Sequence, residues 1–339
     1  MTLVDERDGR QIYRATQVEP AYASLLSTTR FGTDKLRYRR RRVRETMDRL
    51  PATDFYSVYR NDCLIGGYAL TPVDVSRGDD IHPALYRHSL AINEEFQGQG
   101  LGRWLVETAL RDASRRQSCA FSFGSVERGN RRSSAVLASA STQSIGTLRS
   151  ELFYRQRTKR SETVSLNPDD VLLRASLDAS EADCVYRFAS RRKAPYYAVV
   201  DNGRILAGAS ARLNSLDLLS PGMSPGRLYA SLVKLVPPAR KRFDPADFRF
   251  VSLSDVVIDP QGGRAWNTLL GHILYEFDAH MAGVTLDPRR STYQRLAQLG
   301  LLGRFAKATR SEFWLLAMPL ADMQFDLQDQ ITGLAPLEL

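Results

Sequence analysis

Apolar positions along the chain change period several times, and each change marks an element. Residues 86–93, "YRHSLAIN", alternate and predict a strand. From Leu101 the apolar positions are Leu101, Trp104, Leu105, Ala109 and Ala113, at the three- and four-residue spacing of one helix face. Between them lies "EFQGQGLG", a glycine-rich loop joining a strand end to a helix start. Residues 56–70, "YSVYRNDCLIGGYAL", read as strand, polar turn, strand, with Arg60-Asn61-Asp62 at the turn. Residues 197–211, "YAVVDNGRILAGASA", read the same way, with Asp201-Asn202-Gly203 as a strong hairpin signal. Leu36, Val43, Met47 and Leu50 predict a further helix, carrying the run "KLRYRRRRVR" at 35–44.

These elements recur in one order. "QIYRAT" at 11–16 parallels "VLLRAS" at 171–176, each ahead of an apolar-periodic helix, and the two hairpins follow. "SLAINEEFQGQGLGRWLVETAL" at 89–110 then parallels "VVIDPQGGRAWNTLLGHIL" at 256–274, each a strand, a glycine turn and a helix. The chain therefore reads as two related halves, 1–166 and 170–339, divided at the turn cluster "NPDD" after the strand-like "SETVSL". The second half lacks room for an arginine-rich helix and has longer loops, "SPGMSPG" and "PPARKRFDPADF".

Composition adds limits. With 43% hydrophobic and 25% charged residues the chain is an ordinary globular protein. No apolar run reaches the length of a membrane span, and the polar amino terminus is no signal peptide, so a cytoplasmic protein is expected. Cys63, Cys119 and Cys184 are widely spaced and odd in number, which suits reduced, mostly buried thiols. The net charge is +9, and seven of the ten residues at 35–44 are basic. Such a run is a solvated face or a reader of an anionic partner. No nucleic-acid motif accompanies it. His272, Glu276 and His280 share a helical stripe but lack an obvious further ligand, so no metal site is expected.

The glycine loop carries the chemistry. N–H groups at a helix amino terminus are unsatisfied and favour negative charge, and glycines let a diphosphate approach them. The loop is no Walker motif, having no Lys-Ser/Thr, and its Gly98, Gly100 and Gly102 do not fit the dinucleotide fingerprint. Gln97-x-x-Gly100-x-Gly102, after a strand and before a helix, resembles motif A of the GNAT superfamily of N-acetyltransferases. The later strand "CAFSFGSV" and a helix opening at Asn130 resemble that family as well. The resemblance covers the first half by element order and the second half weakly.

It implies an α/β (α+β) fold of two GNAT-like domains, each a twisted mixed, mostly antiparallel sheet flanked by helices. It implies acetyl-CoA or another acyl-CoA as cosubstrate, and no metal. The pyrophosphate would rest on Gln97, Gly98, Gln99, Gly100, Leu101, Gly102 and Arg103, and the pantetheine arm on the backbone of Ala91 and Ile92. Asn130 would bond the cofactor further along, and Arg103, Arg128, Arg131 and Arg132 are candidates for the adenosine phosphates. The activity implied is transfer of an acyl group to an amine of a small molecule or amino acid. His88 and Glu94 are the candidate bases. Leu137 stands where many members have a tyrosine acid, and Tyr154 is a distant substitute. The second half keeps Gly262-Gly263 in a shorter loop and has Leu296, with Tyr293 a turn earlier, near its closing Gly300. It is expected to be a degenerate, acceptor-shaping partner. Alternatives are a longer acyl chain delivered by an acyl carrier protein, a non-catalytic acyl-CoA-binding protein, and modification of protein lysines. The oligomeric state is left open.

Overall fold

The computed structural model describes residues 1–32, 36–77, 79–138, 142–154, 160–182, 184, 187–188, 194–221, 244–279, 281–302 and 311–320. Both hairpins form as their patterns dictate. In the first, β5 (Asp54–Arg60) meets β6 (Cys63–Arg77); in the second, β12 (Tyr196–Asp201) meets β13 (Arg204–Pro221). Asn61 and Asp62 have φ of 48° and 61°, and Asn202 and Gly203 have 48° and 71°, so both turns are left-handed at both central positions. Such turns match the twist of the flanking strands.

The first half begins with β1 (Thr2–Arg7), β2 (Arg10–Ala15) and α1 (Pro20–Thr28). "QIYRAT" lies on β2, but "VLLRAS" lies inside a helix, α5 (Asp170–Ser180), and is no strand. The reason is local. The Asp169 carboxylate accepts from the N–H groups of Val171 and Leu172 and starts a helix there. The element that pairs with β12 as β2 pairs with β5 is the shorter β10 (Val164–Leu166).

The arginine-rich run departs from the helical expectation too. A short β3 (Phe31–Gly32) precedes β4 (Leu36–Arg40), and helix α2 covers Val43–Asp48 alone. β4 pairs antiparallel with β13, Arg40 opposite Leu216 and Tyr38 opposite Leu218. Backbone bonds to a distant strand override the local period. Val43 and Met47 still share a buried stripe against α1.

The first half continues through β7 (Asp80–Ile92), α3 (Leu101–Arg116), β8 (Phe121–Glu127), α4 (Arg131–Ala138) and β9 (Gln143–Tyr154). The second half adds β11 (Arg187–Phe188), β14 (Phe248–Ile258), α6 (Gly263–Glu276), β15 (Met281–Leu286), α7 (Ser291–Gln298) and β16 (Ser311–Pro319). All the strands of the described residues join one sheet, ordered β1-β2-β5-β6-β7-β8-β16-β9-β15-β14-β13-β12-β10, with β11 on β6 and β3-β4 on β13. Pairing is antiparallel except for β7 with β8 and β14 with β15. The halves exchange strands at the centre. β16, from the end of the chain, pairs with β8, while β9, from the first half, pairs with β15.

Helices cover both faces. α3 buries Leu101, Leu105, Val106 and Ala109 on the face that carries Tyr56, Tyr68, Leu70 and Leu85. α1 and α2 bury Tyr22, Leu26, Val43 and Met47 on the opposite face, with Phe55, Ala69 and Ala91. In the second half Trp266, Leu269 and Ile273 of α6 pack on Ala207, Ala209, Val251 and Leu253. No helix of the described residues is long and apolar enough to cross a membrane. No cysteine forms a disulfide among the described residues, and Cys119 alone is buried; Cys63, expected inside, is exposed beside its hairpin turn.

Candidate active site

Parallel pairing of β7 with β8 is short, from Ala84–Tyr86 to Phe121–Phe123. β7 then runs on to Ile92 while β8 pairs with β16 on its other side, so the two strands fork. A bulge lies in the fork. Tyr68 faces two residues of β7, Ser89 and Leu90, and Ser89 has φ of 55°. The Tyr22 hydroxyl donates to the Ser89 carbonyl at 2.5 Å and holds the bulge. Gly67 is required beneath it, because a Cβ there would stand 2.3 Å from the Tyr22 ring. The second half repeats this geometry: β14 and β15 pair over four residues, and Asp255, with φ of 49°, lies in an equivalent bulge. Ala91 and Ile92 follow the first bulge, opposite Gly67 and Gly66.

The glycine loop closes the fork. Residues Glu94–Phe96 form a single 3-10 turn, and α3 begins at Leu101. Gly98 and Gly100 have φ of 78° and 75°, with nothing within 4 Å of where a Cβ would stand. The first bond of α3 runs from the Trp104 N–H to the Gly100 carbonyl at 3.1 Å, and no side chain caps the helix. The N–H groups of Leu101, Gly102 and Arg103 thus have no partner within the helix. Gln97 and Gln99 brace the loop, their amides donating to the carbonyls of Ile92 and Glu95 at 2.9 and 3.2 Å. Their side-chain oxygens accept from Arg132 and Arg10, which brings two guanidinium groups to the loop. Arg10 is the addition, since its place on β2 puts it far from the loop in sequence. Open space over paired left-handed glycines, free N–H groups and flanking arginines fit a diphosphate.

Other expected residues have competing partners. Arg103 pairs with Glu107 at 2.7 Å, and Arg128 with Glu312 at 2.8 Å. The Asn130 side chain accepts from the Ser133 N–H at 3.1 Å and so caps α4. Leu137 is buried against Val126 and Leu316. Tyr154 ends β9, paired with Met281, and β16 separates that strand from β8. Arg131 is exposed at the start of α4.

His88 is held on both ring nitrogens, by the Thr71 hydroxyl at 2.8 Å and the Ser89 hydroxyl at 3.0 Å, and stacks on Tyr86. Burial, with the nearby Arg40 charge second, drives its pKa down to about 3. A ring so weakly basic stays neutral and takes protons poorly. Glu94 is exposed, with its carboxylate 4.0 Å from Arg30.

β4 brings Tyr38, which sequence spacing did not reveal, beside Arg40 of the arginine-rich run. Tyr38 bonds Arg40, and burial raises its pKa, opposed by Arg40 and aided by Glu127 at the end of β8. The Arg40 guanidinium lies over the Phe31 ring at 4.6 Å. A strand read as a helix could not have pointed to Tyr38.

The corresponding loop of the second half is a tight turn. The Asp259 carboxylate accepts from the Gln261 N–H at 2.9 Å and pairs with Arg204. Gly262 precedes α6 with φ of −75°, and a Cβ on it would stand 2.3 Å from the Leu206 carbonyl oxygen. This loop packs on β13 and carries its own buried carboxylate, unlike the open loop before α3. In α7, the buried Tyr293 hydroxyl donates to Glu151 at 2.8 Å. The His272 Nδ1 accepts from the Ser161 N–H at 3.1 Å. His280, the third member of that stripe, lies outside the described residues.

Residues 20–139 match the acetyltransferase (GNAT) family. Comparison with curated proteins gives no match. Among solved structures, N-myristoyltransferase of Saccharomyces cerevisiae with bound myristoyl-CoA is similar at a TM-score of 0.63 and 8% identity, over 100% of this chain and 91% of that one. A second structure of that yeast enzyme with bound myristoyl-CoA gives 0.61 and 9%, over 97% and 85%. A tandem GNAT protein from the clavulanic acid biosynthesis pathway gives 0.54 and 10%, over 93% and 100%. With the paired forks, the repeated bulges and the glycine loop at α3, these findings show a tandem GNAT fold, with the match to the acetyltransferase (GNAT) family at residues 20–139 of its first half.

Proposed function

We propose that the protein is an acyl-CoA-dependent N-acyltransferase, with donor site and chemistry in the first half. The observation that carries this is the open glycine loop at the head of α3, beside the β7–β8 fork. Gly98 to Arg103 would hold the pyrophosphate, with Arg10 and Arg132 alongside. The free edge of β7 near Ala91 and Ile92 would pair with the pantetheine arm as an added strand does. Bound thioester would supply the acyl group: an amine forms the amide C–N bond, the C–S bond breaks, the amine loses a proton and the thiolate gains one. Glu94 is the proposed base, acting through water at the mouth of the fork. His88 is better suited to positioning, because it is neutral and doubly bonded. The second half, with its closed turn, is proposed to shape the acceptor side. A small-molecule amine or amino acid is the proposed acceptor and acetyl-CoA the first donor to try.

Calorimetric titration with acetyl-CoA and longer acyl-CoAs tests this, alongside Gly100→Trp. One equivalent bound, and lost in the variant, is the expected result. Two equivalents would make the second half a donor site, and no binding to any thioester would sink the reading. Profiling chain length, and repeating the titration with an acylated carrier protein, separates short-chain from long-chain donors. A non-catalytic acyl-CoA-binding protein is the second reading, favoured by Leu137 filling the core where a phenol acid is common in the family. It predicts binding without release of thiol to any amine.

A further inference from the structure

Between α2 of the first half and β13 and β14 of the second lies a cleft of about 480 Å³. Among the described residues five arginines line it, Arg40, Arg41, Arg42, Arg49 and Arg212, with Glu45 as the one acidic residue. Arg41 is used structurally, bound to the Ala246 carbonyl and 3.6 Å from Asp247. Arg42 and Arg49 have no side-chain hydrogen bond or ion pair among the described residues. Arg40 leaves Nη1 buried without a partner. Arg42 also holds a left-handed backbone, φ 52° and ψ 33°, which is strained for a residue with a Cβ. Like charges gathered in a walled cleft repel one another and focus a positive potential inward. Apolar Val43, Met47, Leu213, Phe250 and Phe277 share the lining with polar Thr46, Asn214 and Ser215. The shape and chemistry suit one small molecule with an anionic group on an apolar body.

Arg40 connects this cleft to the fork: it lines the cleft, and its guanidinium lies over Phe31, which packs on the cluster holding Ala91 and the Tyr22 that bonds the bulge. We propose that the cleft seats the anionic end of the acyl acceptor, which makes the acceptor an amine bearing a carboxylate or phosphate on an apolar body. This rests on the acyltransferase reading above. Neither the glycine loop nor its flanking Arg10 and Arg132 take part.

The test is calorimetric titration of the whole chain with 3-phenylpropanoate, its neutral counterpart 3-phenylpropanol, and inorganic phosphate. It is run on the wild type, on Arg42→Gln/Arg49→Gln and on Arg42→Lys/Arg49→Lys, each with and without saturating acetyl-CoA. One equivalent of 3-phenylpropanoate is expected to bind at least tenfold more tightly than the alcohol and more tightly than phosphate. The glutamine pair should weaken it at least tenfold, the lysine pair should restore most of it, and acetyl-CoA affinity should be unchanged in both. The anion and acetyl-CoA should bind together. Equal binding of the alcohol, no effect of the glutamine pair, or no binding at millimolar concentration overturns the cleft as an anion site. Displacement of the anion by acetyl-CoA also overturns it, by putting the anion in the donor site. Failure of acetyl-CoA to bind the wild type is a separate result: it overturns the acyltransferase reading, whatever the anion does.

Discussion

His88 provides the sharpest check on how the fork works. Its ring is buried, bonded to Thr71 and Ser89, and held neutral with a pKa pushed from 6.5 down to about 3. Folding therefore depends on pH with a known sign. Above pH 6.5 the ring is neutral in both the folded and the unfolded chain and carries no linkage. Below pH 6.5 the unfolded chain takes up the proton and the folded chain resists it, so stability falls as pH falls, until about pH 3. The slope approaches about 1.4 kcal/mol per pH unit, or roughly 2–3 kcal/mol over the first two units below 6.5. His88→Gln replaces the ring with an amide that can bond the same hydroxyls and does not titrate. Urea unfolding of both proteins from pH 7.5 to 4.5 gives the difference profile. It should be flat above pH 6.5 and narrow steadily below it, because only the wild type loses the histidine contribution. Parallel profiles would refute a neutral buried His88. So would the disappearance, in His88→Gln, of a kinetic inflection near neutral pH, since that would make the ring a working base.

Other outcomes follow from particular contacts. Gly67→Ala drives a Cβ into the Tyr22 ring, and overpacking of that kind should cost about 1–3 kcal/mol, read as a lower Tm. A Tm within a degree of wild type would show that Tyr22 does not pin the bulge. Tyr293→Phe removes the donor at 2.8 Å from the buried Glu151 carboxylate, and should destabilise by about 1–3 kcal/mol in denaturant titration while leaving acetyl-CoA affinity alone. Trp266→Ala empties a fully buried site in the second half's core, and should cost about 3–5 kcal/mol by the same titration. An unchanged midpoint would mean that α6 does not carry that core.

Short-range chemistry settled much of this protein in its sequence. Asn61-Asp62 and Asn202-Gly203 define hairpins because their backbones accept positive φ, whatever the rest of the chain does. Gly98 and Gly100 mark an open loop for the same reason, and the stripe of Leu101, Leu105 and Ala109 makes the helix behind it. From these the tandem pattern and the family resemblance could be read. Tertiary structure decided what local preference leaves undetermined. Val43 and Met47 keep their helical stripe, yet Leu36–Arg40 became a strand because β13 offered its backbone partners. The helix at "VLLRAS" is different, a local outcome set by the Asp169 cap just ahead of it. The exchange of β9 and β16 across the centre, the approach of Arg10 to the loop, and the facing of Arg42 and Arg49 onto Leu213 and Phe250 join residues far apart in the chain. Such contacts depend on which edges and faces remain unpaired once every helix and strand has formed, and no local window of sequence contains that information.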